Sequence, residues 1–122
     1  MNDVLTNNAK IPRATRMAED GSMEVAVLVS PGFGAGWSTW NQEFSELFLF
    51  HKKLVELVLR GNVSEEILCQ AVSELTEGEY IYTGGAEDLE VEWIPEGAKF
   101  WMHEYDGSES MRQLENFVWA TA

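Results

Sequence analysis

The run Val25-Ala26-Val27-Leu28-Val29 is apolar at every position, and this constrains the fold more than any other segment. Successive side chains in a strand point to opposite faces, so Val25, Val27 and Val29 share one face and Ala26 and Leu28 the other. A strand apolar on both faces has to be covered on both, or lie in the middle of its sheet. The run stops at Ser30-Pro31, and glycines follow at Gly32, Gly34 and Gly36, closed by Trp37-Ser38-Thr39-Trp40-Asn41. Glycine loses more backbone freedom on folding than any other residue, so such a cluster signals left-handed torsions or close backbone approach. The spacing predicts a site in this loop.

Downstream of the loop the period changes to that of a helix. Phe44, Leu47, Phe48, His51, Leu54, Val55 and Val58 trace one apolar stripe, which predicts a helix over 42–60 capped by Asn41 or Ser45. Gly61-Asn62 ends it, and Ser64 caps a second helix with Glu65 and Glu66 in its first turn. Ile67, Leu68, Ala71, Val72 and Leu75 form its inner face. From Glu79 the period is two. Tyr80-Ile81-Tyr82 reads as a short strand, and Leu89, Val91 and Trp93 alternate with acids in a half-buried one. Pro95-Glu96-Gly97 reads as a reverse turn, predicting an antiparallel hairpin from Leu89 to Tyr105. Asp106-Gly107-Ser108-Glu109-Ser110 reads as a turn that could also start a helix at Ser108, and Met111 to Ala120, whose pattern fits helix or strand, is expected as a short helix passing into an extended end.

The expected architecture is α+β: a small, mainly antiparallel sheet of four to five strands with a helical hairpin packed on one face. Residues 1–22 lack an apolar period and read as a flexible N-terminal arm, leaving one domain over 23–122. Because two helices separate the first strand from the rest, that strand is open to parallel pairing with a later one.

Charge narrows the partners. The formal net charge is −13. Between Glu74 and Glu109 eleven acids stand against one base, Lys99. Such a field repels nucleic acid and anionic membranes and favours encounter with basic proteins. Glu87, Asp88, Glu90 and Glu92 are the candidate acidic interface. No apolar run approaches the roughly 18 residues that span a bilayer, and the N-terminus lacks the apolar core of a signal peptide, so a cytoplasmic location is expected. Cys69 is the one cysteine; it cannot form an intrachain disulfide and is expected in a helix core.

Motifs for chemistry are thin. The glycines lack the spacing of a dinucleotide fingerprint, and no Gly-Lys-Ser/Thr follows them. His51 and His103 have no triad or zinc-ligand spacing, and Glu104, Asp106 and Glu109 fall short of a calcium loop. No catalytic residue, metal or cofactor is therefore assigned. A backbone nest in the glycine loop could hold a carboxylate or phosphate. The candidate ligand- or partner-binding residues are Gly32, Phe33, Gly34, Gly36, Trp37, Trp40 and Asn41, with Tyr105, Asp106, Ser108 and Glu109.

The segments Pro31-Gly32-Phe33-Gly34-Ala35-Gly36-Trp37-Ser38-Thr39-Trp40-Asn41 and Glu104-Tyr105-Asp106-Gly107-Ser108-Glu109-Ser110 together resemble a family of small, largely uncharacterised phage and prophage proteins. The resemblance spans residues 25–110. Phe33 stands where that family often has tyrosine, and the helix after the loop is more apolar here. What the resemblance implies is a non-enzymatic acidic protein that blocks or sequesters a host factor, such as a defence or nucleic-acid-handling protein; the charge adds that the partner has a basic surface, and homo-oligomerisation stays open. The alternative is a binder of a small nucleotide-like or anionic ligand.

Overall fold

The computed structural model describes residues 11–32, 36–61, 63–78 and 83–113. Among them, five antiparallel strands in two small sheets and three helices form an α+β fold. Strand β2 (Met23–Val29) is the middle of one sheet, flanked by β1 (Thr15–Met17) and β3 (Glu90–Pro95). Its doubly apolar sequence is thereby explained. Ala26 and Leu28 enter one core with Trp37, Phe48, Leu54, Leu68 and Val72. Val25, Val27 and Val29 enter a second, on the other face, with Phe50 and Ile94.

Helices α1 (Ser45–Phe50), α2 (Lys52–Arg60) and α3 (Glu65–Leu75) supply the first core. Ser64 Oγ accepts the Ile67 N–H at 3.2 Å at the start of α3, and Gly61 ends α2 with φ 75°. Both punctuation marks were legible in the sequence. The second core is closed by a hairpin of β4 (Phe100–Tyr105) and β5 (Ser108–Gln113), through Phe100, Met102 and Met111. The sheet is therefore sandwiched between helices and a separate hairpin.

Several expectations are corrected. The helix over 42–60 is broken at His51, which leaves helical geometry with φ −58° and ψ 123°. Residues 11–22, expected as part of a flexible arm, are built into the structure. β1 pairs with β2, Ala14 is buried, and the Lys52 N–H donates to Pro12 O at 2.8 Å. Two arginines fix this segment. Arg13 stacks on Phe50 and pairs with Glu46, while Arg16 stacks on Trp93 and pairs with Glu24.

The hairpin expected from Leu89 to Tyr105 does not form. Its turn is present, with the Ala98 N–H donating to Pro95 O at 3.0 Å, but β3 pairs with β2 and β4 with β5. Two apolar faces explain the split: Val91 and Trp93 are needed against the helical core, Phe100 and Met102 on the opposite face of the sheet. β2 pairs antiparallel on both sides rather than parallel, because the helices return the chain to the end it left, placing Val29 opposite Glu90. The turn is confined to Asp106-Gly107, and Ser108 to Gln113 is strand, neither turn nor helix. Cys69 is exposed on α3, not in its core. The strand expected at 80–82, the first ten residues and the end of the chain after Gln113 lie outside the described residues.

Candidate functional site

The turn between β4 and β5 is Asp106-Gly107, and both residues have positive φ, 50° and 87°. That is the two-residue turn that suits the right-handed twist of strands, and Asp-Gly is among its strongest sequence signals. It sets the register Tyr105↔Ser108 and Glu104↔Glu109, and so aims Glu109 into the fold rather than at solvent.

Glu109 is 2% exposed. Its Oε1 accepts the Ser30 N–H at 3.1 Å. Its Oε2 accepts the Trp37 N–H at 2.7 Å, the Thr39 N–H at 3.0 Å and the Thr39 hydroxyl at 2.7 Å. The Glu109 N–H in turn donates to Ser30 O at 2.8 Å. A buried carboxylate is tolerated only when its oxygens are satisfied, and here four donors converge on it. Among the described residues, the N–H groups of Ser30, Trp37 and Thr39, which the sequence left open to an outside anion, go to the chain's own carboxylate.

The rest of the loop is packed around this latch. Trp37 is fully buried, its indole N–H donating to Phe48 O at 2.8 Å and its ring 4.4 Å from that of Phe48. Asn41 does not cap a helix through its side chain; Nδ2 donates to Trp37 O at 2.8 Å. Ser108 Oγ donates to Pro31 O at 2.7 Å, tying the hairpin to the loop a second time. The Ser30 hydroxyl donates to Gly85 O at 3.1 Å, which brings in the turn before β3. Neither Gly32 nor Gly36 has a left-handed torsion: a Cβ on Gly36 would run into the Trp40 ring, while one on Gly32 would meet the carboxylate end of exposed Asp88, which can turn aside. Phe33 and Gly34 lie outside the described residues.

Three loops thus meet at one end of the sheet: 30–41, 83–88 and 105–109. Trp37, Asn41, Ser108 and Glu109 are brought together by the interior bonding, and Gly32 and Gly36 by close packing against Asp88 and Trp40. Trp40 (43% exposed) and Tyr105 (70% exposed) carry aromatic surface at the same end, beside exposed Asp106. The four acids proposed as one interface lie on two consecutive elements. Glu87 and Asp88 are exposed on a single helical turn next to Gly32. Glu90 and Glu92 lie on β3, opposite Val29 and Val27. Glu92 is half-buried, and burial, then the neighbouring Glu90 charge, raises its pKa above the ordinary carboxylate value of 4.5.

No family model, curated protein or solved structure matches the chain. Among the described residues no helix is long and apolar enough to cross a membrane.

Ser30, Thr39 and Gly85 were missed from the sequence as members of the site. Nothing local marks Ser30 and Thr39 as donors to a carboxylate more than sixty residues away. The Asp106-Gly107 hairpin signal was the available clue, since it alone fixes which way Glu109 points. Glu104 accepts the Gly107 N–H at 2.7 Å within its own turn, so Glu104 and Glu109 serve different bonds and do not converge.

Proposed function

We propose that the chain is a non-enzymatic binding protein that engages a basic surface on a protein partner, blocking or sequestering it, through the end of the sheet where the three loops meet. The observation that carries this reading is the burial of Glu109 against the loop N–H groups. Among its described residues, the loop has the N–H groups of Ser30, Trp37 and Thr39 satisfied internally and Trp37 in the core, so through these it offers nothing to a small anion. What it turns outward is Trp40, Tyr105, Asp106, Glu87 and Asp88. Aromatic rings with nearby carboxylates suit arginine and lysine side chains, through stacking and ion pairing together. The net charge of −13 supports the same choice by raising the encounter rate with a basic surface. The resemblance to small phage and prophage proteins fits a partner among host factors, encountered in the host cytoplasm.

The test is affinity capture from bacterial lysate with the full chain and two variants, Trp40→Ala and the pair Glu87→Lys with Asp88→Lys. A partner identified by mass spectrometry is then titrated against each purified protein. The reading expects a basic partner whose binding weakens at least tenfold in both variants and falls steeply with added salt. Equal affinity for wild type and the charge-reversed pair would remove it. A small anionic ligand that stabilises the wild type in a thermal screen would favour the alternative, since a ligand that binds the folded state raises its melting point.

A further inference from the structure

The break at His51 places one residue of extended backbone between α1 and α2. The next N–H, of Lys52, is thereby free of the helix and donates to Pro12 O at 2.8 Å, while His51 itself forms a backbone bridge with Arg13. The N-terminal strand is seated on this corner. His51 also closes the start of α2, its Nδ1 accepting the Lys53 N–H at 3.1 Å. An accepting Nδ1 carries no proton, so the ring is neutral with its proton on Nε2. In imidazolium both ring nitrogens are donors, and the Lys53 N–H would face an N–H instead of a lone pair.

We infer that His51 is a proton-operated clasp, holding residues 11–17 on the α1–α2 corner while neutral and loosening them when it takes up a proton. The inference stands apart from the binding face proposed above. The charges around the ring favour the neutral form. The charge that acts on the imidazole is Lys53 of α2, and Arg13 meets His51 through the backbone bridge, its guanidinium lying over the Phe50 ring. Arg13 pairs with Glu46 of α1 at 3.2 Å and Lys53 with Glu74 of α3 at 3.1 Å, and no carboxylate is among the groups that shift His51. The positive end of the α2 dipole also points at the ring. Burial, and then the Lys53 charge, holds the pKa of His51 below the ordinary 6.5. The folded protein therefore takes up this proton less readily than the unfolded chain does. The stabilisation is complete above pH 6.5 and falls away as the pH drops below that value toward the lowered one.

Whole-molecule melting would blur the effect, because acid also relieves the repulsion among the chain's many carboxylates. The readout is therefore local. In full-length 15N-labelled protein, the Lys53 amide shift should follow the His51 ring titration. Exchange protection of two amides, Lys52 and Ala26 (whose N–H donates to Ala14 O at 3.0 Å), should fall about fivefold on the acid side of that titration, the size expected for losing a helix N-cap. His51→Asn keeps a capping oxygen without a titrating ring, and its protection should stay level over the same range. The clasp is ruled out if both wild-type amides keep their protection while the His51 ring titrates, or if the fall persists unchanged in His51→Asn. If that variant does not fold, the wild type decides: amide midpoints that track exposed His103 or the carboxylates, rather than His51, overturn the inference.

Discussion

The Trp37 N–H and the Glu109 carboxylate meet at 2.7 Å across 72 residues of sequence. The bond joins the glycine loop after β2 to the far strand of a different sheet, and the Ser30 and Thr39 donors strengthen the same junction. Hydrogen bonds to a charged acceptor are stronger than neutral ones, and leaving their donors unpaired in a buried place is costly. This junction therefore decides whether the loop keeps one shape.

Replacing Glu109 with Gln exchanges one carboxylate oxygen for an NH2 group that faces donors. The expected loss of stability is on the order of 3 kcal/mol, read as a lower urea midpoint with an unchanged slope. Glu104→Gln, exposed and accepting a single turn N–H, serves as the comparison and should cost well under half as much. Equal midpoints for the two variants would show that the convergence on Glu109 does not hold the loop.

Gly85→Ala tests the contact between the loop and the turn before β3. A Cβ there would lie 2.6 Å from Ser30 Oγ and 2.8 Å from the Gly36 carbonyl oxygen. The backbone oxygen cannot swing aside as a long side chain can. Overpacking of this kind costs about 1–3 kcal/mol. Gly97→Ala separates this from strain of another origin, since nothing crowds Gly97 and its φ of 87° alone opposes a side chain. Partner binding should suffer in Gly85→Ala but not in Gly97→Ala.

Glu92 gives a pH dependence of opposite sign to that of His51. Its pKa is raised above 4.5 by burial and by Glu90, so the folded protein holds this proton more tightly than the unfolded chain. Its contribution is full below pH 4.5 and is lost as the pH rises through the raised folded value. Glu92→Gln should therefore be more stable than wild type at neutral pH, with the difference closing on acidification toward 4.5. Denaturant midpoints collected across that range check it, and a difference that widens in acid would contradict the sign.

Arg16→Ala removes both the contact 4.3 Å from the Trp93 ring centroid and the 2.8 Å ion pair with Glu24. Exposed pairs of this type contribute little singly, so a loss of about 1 kcal/mol is expected. The loss should appear as faster amide exchange in β1 and at the start of β2, with α3 unaffected. Uniform loss of protection across the molecule would instead mean that the arginine supports the whole fold.

What the sequence determined by itself is whatever neighbours along the chain can impose. Val25 to Val29 demanded cover on two faces, Ser64 and Gly61 punctuated the helices, and the alternation of Val91 and Trp93 with Glu90 and Glu92 marked a half-buried strand. These follow from side-chain period and backbone preference, which act within a few residues. Only the tertiary structure decided where Glu109 goes, that the helix stops at His51, and that the strands on either side of Pro95-Glu96-Gly97 part company. Each of those outcomes is a competition for distant partners. Four donors for one buried carboxylate, a Pro12 carbonyl for a Lys52 N–H, and two uncovered faces of one sheet outweigh the local preference at each place.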